Sequence, residues 1–358
     1  MGNTMSDGLV FEDTEENVWR HDLQDASLCT LRTERGCKDG AVYTQGTVVG
    51  HLLDPERPQH QHFFFRALLQ DAPRGIVFLA HGYNASSFES GIRAQAFRDL
   101  GLDVIALDHW GHGRTSGKRV RIWSWQRDLV TPFVEFVRHT LSSPQEVLGK
   151  GGLWNSGQLP VFLYGISMGG AIAFLAAKEL GPETVTGGVM LSSPLFRTPI
   201  APGMMVRRLL TPVKYILPFV KVAAGAPPSD PVLAGFSSDP VKAAWLEKSA
   251  FYKCSRGTPL PTAASLLNMA DACRAEFQDF HVPFVVLHGD KDKVTCPEAS
   301  RQLYEENKAL PEEDKQLILY PEALHSLNFE RDEILKKYEQ DLAAFVDHRI
   351  AVYHNKTL

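Results

Sequence analysis

The run Val161-Phe162-Leu163-Tyr164-Gly165-Ile166-Ser167-Met168-Gly169-Gly170 constrains the fold of this chain more than any other. Its apolar first half reads as a buried strand, and Ala171, Ala173, Ala176 and Ala177 read as the helix behind it. A strand that turns straight into a helix around a serine holds that residue in a strained backbone and lifts its Oγ above the sheet edge. Gly165 and Gly169 suit such a turn, because a Cβ at either would collide where strand and helix close on each other. The helix start leaves N–H groups unpaired and a partial positive charge beside Ser167, which favours a developing oxyanion. The alternative, a serine in an ordinary tight turn, explains neither the strand before it nor the helix after it.

On either side of this elbow the pattern repeats. Gly75 to Ala80, Val104 to Leu107 and Gly188 to Leu191 are short apolar runs, and helical stretches lie near Arg93 to Leu100 and Gln126 to Leu141. Strands apolar along their whole length are those covered by helices on both faces, so a mostly parallel, doubly wound α/β sheet is expected. Thr47 to Leu53 and His62 to Leu69, separated by Pro55 and Pro58, read as a hairpin at the sheet edge. Ser142 to Leu159, rich in Gly, Ser and Pro, reads as a loop.

The alternation stops at Ser193-Pro194 and resumes at Pro283 to His288. It then continues with a helix from Pro297, a strand over Gln316 to Tyr320 and a last helix from about Asp332 to Tyr353. The expected division is a polar arm over residues 1–40, an α/β core over 41–193 and 281–358, and an inserted helical cap over 194–280.

A net charge of −5 gives no electrostatic reason to expect nucleic acid. The cysteines, Cys29, Cys37, Cys254, Cys273 and Cys296, are odd in number and scattered, which fits a reducing compartment. No secretory pattern or membrane-length apolar run is seen, so a cytoplasmic protein is expected. Met1-Gly2-Asn3-Thr4-Met5-Ser6 matches the N-myristoylation pattern, making Gly2 an acylation candidate with only marginal membrane affinity.

A serine hydroxyl needs a base, and the base needs a third group to orient it. Two segments after the elbow end apolar strands at the carboxyl edge, where open sheets place their sites: His288-Gly289-Asp290-Lys291-Asp292 and Glu322-Ala323-Leu324-His325. In the order nucleophile, acid, histidine, His325 is the candidate base and either Asp290 or Asp292 the acid. His81 and His112 follow strands too, but precede the serine and suit structural bonds to backbone. The turn His81-Gly82-Tyr83 ends the strand expected to supply a second oxyanion donor, so the backbone N–H groups of Tyr83 and Met168 are the candidate oxyanion hole. A metal held by His288, Asp290, Asp292 and His325 lacks any compact ligand spacing, and His51, His60 and His62 read as surface residues; no metal or cofactor is expected.

Together, His81-Gly82-Tyr83, the Asp108-x-x-Gly111-His112-Gly113-x-x-x-Gly117 loop, Ser167-Met168-Gly169-Gly170, Ser193-Pro194-Leu195, Ser238-Asp239-Pro240, His288-Gly289-x-x-Asp292 and His325 make the chain resemble the monoglyceride lipase and lysophospholipase-like serine hydrolases, over about residues 75 to 350. The resemblance implies the α/β-hydrolase fold, favours Asp292 over Asp290, and implies hydrolysis of carboxylic esters of monoacylglycerols or lysophospholipids. Ile166 stands where such lipases commonly carry His, and Thr115 where Ser is usual. Lipid thioesterases and aminopeptidases use the same triad, and a ligand-binding protein on this fold is the non-enzyme alternative.

The cap suits a lipid-like substrate. Its stretch from Met204 to Val220 is densely apolar, and Leu195, Met204, Met205, Leu209 and Ile216 are the candidate acyl-chain contacts. Arg207, Arg208, Lys214 and Lys221 interrupt it, a mixture that fits peripheral membrane contact as well as an ordinary amphipathic face. In the loop from Lys118 to Trp125, Trp123 and Trp125 are expected to pack under the cap.

Overall fold

The computed structural model describes residues 29–35, 42–58, 60–87, 90–155, 157–199, 215, 220–222, 235–243 and 257–357. Strand β1 (Cys29–Arg35) pairs antiparallel with β2 (Val42–Val49). A helical turn, α1 (Gly50–Leu53), leads to β3 (His62–Leu68), which pairs antiparallel with β2. The chain then alternates through β4 (Gly75–Ala80), α2 (Ser90–Asp99) and β5 (Leu102–Leu107), and on through α3 (Thr131–Ser142), α4 (Pro144–Leu148), β6 (Val161–Ile166), α5 (Met168–Leu180) and β7 (Gly188–Ser192). In the insertion, β8 (Lys221–Val222) and β9 (Thr258–Pro259) form a small ribbon that ends at α6 (Leu260–Ala275). The core resumes with β10 (Phe284–Gly289), α7 (Pro297–Glu306), β11 (Lys315–Tyr320) and α8 (Asp332–Thr357).

Among the described residues the main sheet has nine strands in the order β1-β2-β3-β5-β4-β6-β7-β10-β11. From β5 to β11 every neighbouring pair is parallel, as the unbroken apolar runs require. Two cores lie on its opposite faces. Phe133, Phe136, Ile172, Phe174 and Leu303 bring α3, α5 and α7 to one; Phe97, Tyr338, Leu342 and Phe345 bring α2 and α8 to the other. Helix α5 is buried almost all round, so its Ala-rich composition answers to sheet, α3 and α6 at once.

Three expectations need correction. Residues expected within a polar arm include β1, which extends the sheet by one edge strand. The expected hairpin is β2 with β3, but Gly50–Leu53 is a helical turn between them and not strand. The expected loop over 142–159 contains α4 and a 3-10 turn at Gly152–Trp154. Trp154 is buried there because its Nε1–H donates at 2.8 Å to Asp103, a carboxylate that also pairs with Lys150 at 2.9 Å.

The elbow is the tightest approach in the fold. A Cβ on Gly169 would lie 2.0 Å from the Ala80 carbonyl oxygen and 2.6 Å from that of His81, both backbone. Gly169→Ala is therefore expected to lower unfolding free energy by about 1–3 kcal/mol, read from urea unfolding midpoints at unchanged slope. That contact seats the N-terminus of α5 directly on the end of β4.

Candidate active site

Non-glycine residues with positive φ gather at the carboxyl edge of the parallel sheet. Asn84 follows β4, Ser167 β6, Ser193 β7 and Glu322 β11, with φ of 59°, 56°, 44° and 60°. Strain of this kind is held only where surrounding structure fixes it, and it marks candidate sites. Ser167 (φ 56°, ψ −119°) is half-buried, its N–H donating to Ser192 O at 3.0 Å and its carbonyl accepting from Leu195 N–H at 2.9 Å. Leu195 thus lies directly beside the elbow. Met204, Met205, Leu209 and Ile216 lie outside the described residues, as do Gly2, Arg207, Arg208 and Lys214.

Met168 is the first residue of α5, so its N–H has no carbonyl behind it within the helix. The end of β4 runs alongside: a Cβ on Gly82 would lie 3.6 Å from the Cβ of Ser167. Gly82, which immediately precedes Tyr83, and Met168 therefore both lie beside the same serine. The Tyr83 phenol is pushed up to about 12 by burial, which the neighbouring Thr258 and the charge of Arg119 only partly offset.

Beneath this turn three imidazoles pack together. The rings of His81 and His109 are 4.2 Å apart, and those of His81 and His112 5.3 Å. His81 Nε2 accepts the His109 backbone N–H at 3.0 Å, so Nδ1 carries the proton and donates to Gly82 O at 2.8 Å. His112 Nδ1 bonds Trp110 O at 2.9 Å. These are the structural backbone bonds expected of them. Burial lowers His81 from 6.5 to about 4 and His112 from 6.5 to about 3.

Both rings stay neutral in the folded chain but take up a proton near 6.5 once it unfolds. The unfolded state then binds more protons, so stability is full above about pH 6.5 and falls as pH drops, the loss ending near pH 4 for His81 and near pH 3 for His112. Urea midpoints falling steadily from pH 7 to pH 4 are the expected result, and His81→Asn is expected to flatten the slope.

The second half of the site hangs from β10 and β11. His325 Nδ1 donates to Asp292 Oδ2 at 2.7 Å, which leaves Nε2 with its lone pair. His288 Nε2 lies 3.0 Å and Thr295 Oγ 2.7 Å from the same carboxylate oxygen, while Oδ1 accepts Val294 and Thr295 N–H at 2.7 and 3.0 Å. Burial alone would raise the Asp292 carboxyl; the His325 charge and the hydrogen bonds from His288 and His325 outweigh it and hold the group well below its ordinary 3.8. Asp290, in contrast, is exposed, and its Oδ1 accepts the Glu322 N–H at 2.7 Å. One aspartate anchors an imidazole; the other ties two loops together.

Thr295 joins the two halves. Its hydroxyl reaches Ser193 O at 3.1 Å as well as Asp292, and Ser193 follows the residue whose carbonyl holds the Ser167 N–H. Neither Thr295 nor His288 stood out as a supporting residue in the sequence. His288 lies within the His288-Gly289-x-x-Asp292 motif, and its spacing of four from Asp292 was the only available signal. The structure also brings residues 235–236 of the insertion onto the His325 loop: Phe236 meets the His325 ring edge to face at 5.3 Å. Trp123, at 40% exposed, stacks on Tyr215 of the insertion, at 66% exposed.

The family model described as serine aminopeptidase, S33 (Hydrolase_4) matches residues 71–332. The chain is 30% identical over 290 residues to the caffeoylshikimate esterase of Arabidopsis thaliana, covering 79% of this chain and 81% of that protein. It is 27% identical over 286 residues to the monoglyceride lipase of Rattus norvegicus, covering 78% and 84%. Among solved structures it is similar to a soluble variant of monoglyceride lipase from Saccharomyces cerevisiae in complex with a substrate analog, with a TM-score of 0.67 at 20% identity, covering 82% of this chain and 94% of that one.

Proposed function

The chain belongs to the serine aminopeptidase S33 family of hydrolases, and on that premise we propose that it cleaves carboxylic esters of lipids through a Ser167–His325–Asp292 triad and an acyl-enzyme. It is a carboxylic ester hydrolase on the α/β-hydrolase fold, similar to monoglyceride lipases. Monoacylglycerol or lysophospholipid is the proposed substrate. The supporting observation is the 2.7 Å contact of His325 with a buried, charged Asp292, two loops from a strained serine on the same sheet edge.

In this mechanism His325 Nε2 takes the Ser167 hydroxyl proton as Oγ attacks the ester carbonyl. The tetrahedral oxyanion accepts hydrogen bonds from the Tyr83 and Met168 N–H groups. Asp292 holds the imidazole in the tautomer that can accept the proton and stabilises it once charged. His325 then protonates the leaving alcohol, and a water deprotonated by the same ring releases the acyl group from Ser167.

Fluorophosphonate labelling of Ser167, together with parallel hydrolysis of monoacylglycerol, lysophosphatidylcholine, acyl-CoA, a peptide amide and a caffeoyl ester, tests this reading. The caffeoyl ester is included because one relative is named for it. Absence of labelling would turn the reading toward a ligand-binding protein. Peripheral membrane contact through the cap, or through an acyl group on Gly2, is part of the proposal; the exposed Trp123 and Tyr215 pair supports the first, and vesicle co-sedimentation checks it. Among the described residues no helix is long and apolar enough to cross a membrane.

A further inference from the structure

A carboxylate with no access to solvent lies behind the His325 loop. Glu330 is fully buried, and each of its oxygens accepts two donors. Oε1 takes the Leu324 N–H at 2.8 Å and the Ser238 N–H at 3.1 Å; Oε2 takes the Ser238 hydroxyl and the Arg331 N–H at 3.3 Å. Leu324 immediately precedes His325, and Ser238 belongs to the insertion, far away in sequence. One side chain therefore joins the backbone that carries the imidazole to a segment of the insertion.

The clasp is closed at further points. The His325 and Ser326 N–H groups donate to Gly235 O at 3.3 Å and Phe236 O at 2.7 Å, and Ser237 Oγ donates to Phe329 O at 2.5 Å. The nearly buried Lys242 Nζ donates to the Glu330 carbonyl and to Asp332, each at 2.7 Å. Burying a carboxylate is costly unless it is fully hydrogen-bonded, and this one is satisfied only while segment 235–243 is seated.

We infer that Glu330 and Ser238 are a positioning pair for the proposed reaction: they make the seating of the insertion a condition for the placement of His325. The inference rests on the triad reading, because a displaced imidazole matters only if His325 is the base. A displacement of about 1 Å in a catalytic group lowers turnover about 100-fold. Loss of the pair therefore acts on the chemical step and not on substrate affinity.

Ser238→Ala removes one donor. Glu330→Gln turns an NH2 toward donors whichever way the carboxamide faces. Both are expected to lower kcat about 10- to 100-fold with KM within about twofold, and to slow fluorophosphonate labelling of Ser167 by the same factor, while circular dichroism stays native. Ser238→Thr keeps the hydroxyl and should restore most of the rate. Should Glu330→Gln fail to fold, the Ser238 pair of variants decides alone. Wild-type turnover and labelling in Ser238→Ala, or an equal loss in Ser238→Thr, would overturn the inference. His325→Ala, measured alongside, separates the two levels: if it labels as fast as the wild type, the triad reading itself has failed.

Discussion

Ser167→Ala is expected to reduce ester hydrolysis by about four to six orders of magnitude, because removal of the nucleophile leaves only the residual catalysis of the oxyanion donors and binding. Folding should be unaffected. The side chain lost is half-buried and at the surface of the elbow, while the contacts that hold the turn are backbone ones: Ser167 N–H to Ser192 O and Leu195 N–H to Ser167 O. Purified Ser167→Ala should therefore bind substrate with near-native affinity, and steady-state rates with an equilibrium binding assay check both halves. A variant retaining a tenth of native turnover would move the nucleophile elsewhere.

The second large effect separates two aspartates only two positions apart, Asp290 and Asp292. Asp292→Asn is expected to lower kcat about 10⁴-fold, since an amide there can donate to His325 and favour the wrong imidazole tautomer. The environment sharpens the effect: His288 and Thr295 both address the oxygen that His325 uses, so an amide NH2 at that position would confront other donors. Asp290→Asn keeps an amide oxygen that can accept the same exposed Glu322 N–H and loses only the charge, a change of less than about 1 kcal/mol in stability and little in turnover. The measurement is kcat for each variant on one ester. The reverse ranking would overturn the assignment of the acid.

Most of the α/β alternation was legible in the sequence, because strands buried on both faces leave unbroken apolar runs such as Gly75 to Ala80 and Phe284 to Leu287. The elbow was legible for a different reason: Gly165 and Gly169 are demanded by backbone collisions that no other residue avoids. Strand β1 was not, since Cys29-Thr30-Leu31-Arg32-Thr33-Glu34-Arg35 is largely polar, and only pairing with β2 makes it a strand. Helix α4 carried readable signals, Pro144 in its first turn and Gly149 at φ 66° just past its end, in a stretch dominated by loop-forming residues. At the site, motif order pointed to His325 and left Asp290 and Asp292 both open as the acid; only the family resemblance favoured Asp292. The support beneath them was hidden, because Glu330 meets Ser238 across 92 positions of sequence and neither has a local pattern that indicates the other.

Strands β7 and β10 are neighbours, with Leu287 opposite Ser192, so everything between Ser193 and Pro283 is a detour between adjacent rungs of one ladder. Such a detour can be exchanged for another length or composition without re-registering the scaffold. A chimera carrying a foreign acyl-binding module would still need to bring its own counterpart of the stretch from Gly235 to Lys242. Without it, the transplant would inherit a new specificity together with a loosely held base.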